Sequence, residues 1–220
     1  KIKHEVKVHE RCKTEIEYVK STQWFVKYLD LRDKILDWGK KLKWHPEHMV
    51  HRYNSWVKGL QWDWLISRQR FFGIPFPVWY CKKCGEVIVA DENQLPLDPM
   101  STKPEKACPK CKSKEFEPEK DVLDTWFTSS MTPRIAIELM PKELWDKLFP
   151  LSLRPQASEI ITFWLFNTVV KSNLHYNKNP FEHVMVSGFV TLGGQKMSKS
   201  RGNIIEPQEI NEKYGADALR

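Results

Sequence analysis

The sequence predicts an α/β layered domain interrupted by a small metal-stapled knuckle, and three observations lead to that expectation. Helix-period stretches alternate with short apolar runs that read as buried strands, the pattern of helices packed on a parallel sheet. Residues 81–120 change character, with cysteine, lysine and proline replacing large apolar groups. From Asp121 the composition returns to that of a core. A chain of 220 residues with a hydrophobic fraction of 41% suffices for one large domain, or a medium domain with a satellite.

Each element follows from its residues. Residues 1–20 alternate crudely through Val6, Val8, Ile16 and Tyr18, which predicts a strand, a turn and a second strand. Trp24 to Leu31 predicts a strand leading into a helix over 30–43, whose apolar face is Leu31, Ile35, Leu36, Trp38 and Leu42. Pro46 opens a second helix with Met49, Tyr53, Trp56 and Val57 as its stripe. Pro75 and Pro77 keep Ile66 to Tyr80 extended. Ile160 to Leu174 is apolar and long enough for a buried helix, and Val184 to Val190 reads as a buried strand. A Gly-Gly loop comes next, then a helix from Pro207 to Tyr214 that stops at Gly215. The start without Met and the finish at Arg220, inside a helical pattern, read as cut ends.

The net charge of +7 suits a polyanionic partner, nucleic acid or nucleotide phosphate, although ordinary solubility charge has the same signature. No stretch reaches the roughly 18 apolar residues of a membrane span, and Lys1 to Glu10 lacks the apolar centre of a signal peptide. The chain therefore reads as cytoplasmic, with no membrane partner. Ten tryptophans read mostly as core, with some free to stack on a ligand.

Four of the five cysteines form two close pairs, Cys81-Lys-Lys-Cys84 and Cys108-Pro-Lys-Cys111. Two such pairs across a module-sized spacer suit a tetrahedral Zn²⁺ held by four thiolates, and four protein ligands leave no open position for catalysis. Lys82, Lys83, Lys110 and Lys112 offset the charge of such a cluster. A segment with so little core needs a staple. His9-Glu-Arg-Cys12 is half of a second possible site without a partner pair, so Cys12 reads as a free thiol.

The most informative segment is Gly193-Gly-Gln-Lys196-Met197-Ser198-Lys199-Ser200-Arg-Gly-Asn203. It sets two ammonium groups three positions apart on a glycine-hinged loop, with hydroxyls between and beside them. Glycines let backbone amides approach a phosphate closely, and a mobile loop can close on a triphosphate. The alternative, a solvated basic turn, does not account for the string itself. Lys196-Met-Ser-Lys-Ser200, with Val186-Ser-Gly-Phe-Val before it and Tyr214-Gly-Ala-Asp-Ala-Leu-Arg after it, resembles the KMSKS signature of class I aminoacyl-tRNA synthetases in all five positions.

The resemblance extends over essentially the whole chain. Trp62 to Tyr80 resembles the segment after the editing insertion in the valine, isoleucine and leucine subgroup. Asp121-Val-Leu-Asp-Thr-Trp-Phe-Thr-Ser-Ser130, Arg154 to Phe166 and Trp44-His-Pro-Glu-His-Met49 look like the valine version, and Phe71-Phe72 with the cysteine pairs resembles its archaeal-like branch. The resemblance implies the second half of a Rossmann-type catalytic domain. Residues 1–20 would be the exit from the editing insertion, 21–80 a connective segment, 81–120 the zinc knuckle, and 121–220 the second half of the core with the loop. It also implies ATP with Mg²⁺ as substrate, L-valine, the valine tRNA as partner, structural Zn²⁺ and a monomeric parent enzyme.

Residue by residue, the resemblance puts Trp126 and Trp164 beside the amino-acid side chain with Ile160 nearby. It puts Gly188 against the nucleotide, and Lys196, Met197, Ser198, Lys199 and Ser200 on ATP, with Lys196 and Lys199 as the catalytic cations. Flat apolar walls suit a β-branched side chain, and core packing is the alternative role for both tryptophans. Arg68 and Gln69 sit in a family string without an evident role, and His45, His48 and His51 read as surface or tRNA-side residues. The other class I signature, His-Ile-Gly-His, is absent from the 220 residues. Alternatives are an isoleucine or leucine enzyme, disfavoured by Asp-Thr-Trp-Phe-Thr-Ser-Ser, and a non-catalytic zinc-containing nucleic-acid-binding module, which has no need of a triphosphate clamp.

Overall fold

The computed structural model describes residues 4–9 and 12–219, and the side chain of Ser200 lies outside the described set. In chain order the first elements are β1 (Phe25–Val26), α1 (Arg32–Lys40), β2 (Lys43–His45) and α2 (Val50–Gly59). Next come β3 (Trp64–Leu65), β4 (Ser67–Arg68), β5 (Val78–Cys81), β6 (Val87–Val89), β7 (Phe116–Pro118) and β8 (Val122–Leu123). Three short helices succeed them, α3 (Thr125–Ser129), α4 (Thr132–Glu138) and α5 (Trp145–Leu148). Then come β9 (Leu151–Ala157), α6 (Phe166–Tyr176), β10 (Phe181–Ser187), the hairpin β11 (Thr191–Leu192) and β12 (Gln195–Lys196), α7 (Pro207–Tyr214) and α8 (Ala216–Leu219).

Two compact units divide the chain, one of Lys1–Lys27 with Asp63–Asp124, the other of Tyr28–Trp62 with Thr125–Arg220. The expected segment 21–80 is thus shared between them. Its helical part, α1 and α2, has apolar faces that fit against α6, whereas its extended part pairs with later strands.

In the second unit β10 lies between β2 and β9 with both pairings parallel, which bears out the α/β expectation. Trp44, Val184, Val186 and Gln156 point to one face and are buried. The opposite face bears Met185, His45 and Leu153, all exposed. Ile35 and Gly39 of α1, Tyr53 and Val57 of α2 and the whole inner stripe of α6 complete the core. The helix expected over 30–43 stops at Lys40, because Leu42 and Trp44 are buried with strand period as the chain enters β2 at Lys43.

Gly39 marks the tightest approach in this core. A methyl group there would lie 2.2 Å from Cε1 of Tyr53. Tyr53 is fully buried and its hydroxyl donates to the Ile35 carbonyl at 3.2 Å, so the ring cannot swing aside. Gly39→Ala is expected to destabilise the fold by about 1–3 kcal/mol through overpacking. A chemical-denaturation midpoint equal to that of the unsubstituted chain would rule this out.

In the first unit β5 is flanked by β6 and β7, and β4 pairs with β8, all antiparallel. Trp79 anchors the knuckle from the centre, its indole N–H shared between the Pro99 and Thr102 carbonyls. Glu119 ties the ribbons together by accepting from the Trp24 indole, the Tyr80 hydroxyl and the amides of Lys120 and Asp121. Burial and this carboxylate push Tyr80 up to about 12. The strand-turn-strand expected over 1–20 reduces, among the described residues, to a single bridge between Val8 and Glu15. Both alternating faces of that segment are exposed, so no burial supports a longer ladder.

Candidate functional site

Ligands of parallel α/β sheets bind at the carboxyl ends of the strands. Here those ends are Ala157 of β9 and Ser187 of β10, paired to each other in register. Beyond Ala157 the chain enters a 3₁₀ turn, Ser158–Ile160, which presents Glu159 and half-buried Ile160. Beyond Ser187 come Gly188 and the exposed Phe189 and Val190, so the strand expected to reach Val190 ends three residues early.

The hairpin β11–β12 turns on Gly193 and Gly194, with φ of +58° and +74°. A two-residue turn with both residues in the left-handed region needs glycine and matches the strand twist. The turn aims Lys196 back at the strand ends, where its ammonium pairs with the Glu159 carboxylate and lies 4.8 Å from the Phe189 ring centre. Asn203 braces the loop after β12: its carboxamide donates to the Lys196 carbonyl at 3.2 Å and accepts from the Ser198 amide at 2.9 Å. Met197 and Ser198 are half-buried, and Lys199 opens a 3₁₀ turn, Lys199–Arg201, with its side chain exposed. Glu159 was invisible in sequence, since only the folded hairpin brings it to Lys196; its position directly after a parallel strand was the one available signal.

Ile160 leads into a π-helical turn, Ile161–Leu165, in place of the single helix expected over 160–174. Turns of this type hold one extra residue and cluster at functional positions. Trp164 is buried beneath the Arg154 guanidinium, 4.0 Å from its ring centre, and its indole donates to the Ser129 carbonyl at 3.3 Å. Burial lowers the pKa of Arg154. Trp126, 41% exposed, stacks on Phe163 with ring centres 6.0 Å apart. The two tryptophans are therefore linked through Phe163 and Ser129, a connection the sequence did not suggest.

In the first unit the four paired cysteines converge, every sulfur within 4.8 Å of the others. Cys81 Sγ lies 3.4 Å from Cys111 Sγ, and Cys84 Sγ 3.5 Å from Cys108 Sγ. A tetrahedron with Zn–S bonds of about 2.3 Å has S···S edges of roughly 3.8 Å, so the set fits a soft tetrahedral cation. The two halves have the same local fold. Gly85 and Lys112, each just after the second cysteine, are left-handed, and their amides donate to the Cys81 and Cys108 carbonyls. Desolvation raises the Cys81 thiol, but the amides of Cys84 and Lys83 and the Cys111 thiol outweigh it and hold it at about 6. Cys12, by contrast, is exposed and contacts His9 and Thr14. Arg68 and Gln69 have structural partners: Arg68 pairs with Asp124 at 3.0 Å and donates to the Leu65 and Ser67 carbonyls, and Gln69 donates to Asp121 and Gln23.

The family model for tRNA synthetases class I (I, L, M and V) matches residues 3–220. A Valine–tRNA ligase of Thermoplasma acidophilum is 53% identical over 220 residues, covering 100% of this chain and 28% of that protein. One from Thermoplasma volcanium is 51% identical with the same coverage. The chain thus spans little more than a quarter of the length of these relatives. A Mycobacterium tuberculosis methionyl-tRNA synthetase bound by methionyl-adenylate aligns with a TM-score of 0.64 at 18% identity, over 97% of this chain and 35% of that one.

Proposed function

Because the chain belongs to the class I tRNA synthetases, we propose that it forms part of the catalytic core of a valine–tRNA ligase. The observation that supports this most directly is the Lys196–Ser200 loop, swung by its glycine turn onto the carboxyl ends of β9 and β10. In this reading residues 1–20 leave the editing insertion, 21–80 connect, 81–120 form the zinc knuckle, and 121–220 supply the second half of the core.

The reaction joins a carboxylate oxygen of L-valine to the α-phosphorus of ATP, which enters with Mg²⁺, as the bond from that phosphorus to pyrophosphate breaks. The valyl group then passes to the terminal adenosine of the valine tRNA. Such chemistry needs positioning and charge stabilisation more than a protein base. Lys199 and Lys196, with Met197, Ser198 and Ser200, hold the phosphates and stabilise charge moving onto pyrophosphate. Gly188 lets backbone lie close to the nucleoside. Trp126, Trp164 and Ile160 wall the pocket for the valine side chain. Cys81, Cys84, Cys108 and Cys111 hold a structural Zn²⁺, which fixes the knuckle and takes no part in the chemistry. We place the enzyme in the cytoplasm as a monomer; among the described residues no helix is long and apolar enough to cross a membrane. Without a His-Ile-Gly-His-type string, the 220 residues alone are expected to bind nucleotide weakly and activate no amino acid.

The test is amino-acid-dependent pyrophosphate exchange into ATP by the full-length protein that carries this sequence, with valine, isoleucine, leucine and threonine. Strong exchange with valine and weak exchange with threonine is the expected result. Preference for isoleucine or leucine would keep the family and overturn the specificity.

A further inference from the structure

Lys171 is an anomaly in the core. It sits on α6 between Val169, Val170 and Ser172, and only 5% of it is exposed. A hydrocarbon side chain would suit such a position, since an ammonium is taken out of water at a cost that only good partners offset. Its partners are both on one residue of α3. The Lys171 ammonium donates to the Phe127 carbonyl at 3.0 Å and lies 3.6 Å from the centre of the Phe127 ring. Burial lowers the group to about 8, so at neutral pH it remains mostly an ammonium.

The helix it holds needs holding. α3 has five residues, too few for a helix to be stable by itself. Its position is set by three attachments to residues 161–171. These are the Lys171 bond to Phe127, the Trp164 indole bond to the Ser129 carbonyl, and the stack of Trp126 on Phe163. Lys171 is the charged member of this set, and Trp126 is the residue next to the one it grips. The Lys196 loop is braced separately, by Glu159 and Asn203.

We infer that Lys171 is a positioning residue for amino-acid selection: gripping Phe127 from α6, it fixes the orientation in which α3 presents Trp126 to the substrate side chain. This rests on the valine-ligase reading above. Without the ammonium, the Phe127 carbonyl loses its bond from α6 while the Ser130 hydroxyl, from its own segment, still donates to it, and α3 gains freedom to shift against α6. The wall beside the amino acid then loosens while the ATP loop stays as it was.

The experiment is steady-state pyrophosphate exchange by the full-length protein, comparing Lys171→Met and Lys171→Arg with the unsubstituted enzyme. For Lys171→Met the KM for valine is expected to rise about tenfold, with the KM for ATP within about twofold, because orientation of one substrate alone is lost. Lys171→Arg, which retains a charged donor, recovers part of the valine KM. An unchanged valine KM, or valine and ATP constants rising together, overturns the inference and leaves the valine-ligase reading standing. If Lys171→Met does not fold, Lys171→Gln gives the same comparison, with the same split expected and the same results counting against it. An unsubstituted protein that exchanges with no amino acid removes both the reading and the inference.

Discussion

On the valine-ligase reading proposed above, replacing Lys199 by alanine is expected to lower the kcat of valine-dependent pyrophosphate exchange by about 100- to 1000-fold, the range for losing one preorganised charge partner of a transition state. The KM for valine should change little. The geometry gives the reason. Lys196 already has a partner in Glu159 and rests near the Phe189 ring, whereas the exposed Lys199 opens the short turn that Gly202 closes. Among the described residues Lys199 makes no ion pair that it must give up to turn toward a triphosphate, and Lys196→Ala is expected to cost less. The measurement is kcat and both KM values for the two variants in the full-length protein. A loss confined to the KM for ATP, with kcat intact, would mean that the loop binds ATP and its departing pyrophosphate equally and contributes nothing to the chemical step.

The second large effect concerns the knuckle. Cys108→Ser is expected to abolish zinc retention and to open residues 81–120 to proteolysis. Cys108 is fully buried, and beside it and Cys81 this region has little core of its own and packs on Trp79 just before it. Metal binding of this kind contributes on the order of 10 kcal/mol to the folding of a small module, far more than its few apolar contacts supply. Metal analysis of the purified protein should give one zinc per chain, and a chelator should reproduce the pattern of cleavage. Chains that carry no zinc and resist protease whether Cys108 is present or not would show that the four thiols pack as a dry cluster.

These two effects rest on parts of the molecule that were legible in the sequence to different degrees. The cysteine pairs could be read because a metal site is specified by local spacing, and each half folds by its own turn at Gly85 or Lys112. The same holds for the Gly193-Gly194 loop, which the structure makes the tip of a hairpin, and for α7, which begins at Pro207 and stops before Gly215 as expected. The parallel sheet was legible as alternation of element types, but its order was not, since β2 joins β10 from far along the chain. Leu42 shows why boundaries move: it fits the helical stripe in sequence, and only the strand that begins at Lys43 makes its burial, with that of Trp44, a matter of strand period. Glu159 and Lys171 are not legible in sequence because their meaning lies in partners distant along the chain, whereas Asn203 stands in the loop string and its bracing role shows only once the loop is folded. Arg68 has no evident role in sequence, and its ion pair with Asp124 supplies one.

The π-helical turn at Ile161–Leu165 has a consequence for anyone redesigning this molecule. A single surplus residue sets the angular offset between the end of β9 and everything on α6. Each residue of an α-helix advances the chain by about 100° around its axis. Deleting one residue within the turn would give a more regular helix and rotate Phe163 and Trp164 away from Trp126 and Ser129 by about that amount. Local regularity and working geometry are in conflict there. Sequence optimisation that rewards helical ideality would therefore tend to erase the register on which the presentation of both tryptophans depends.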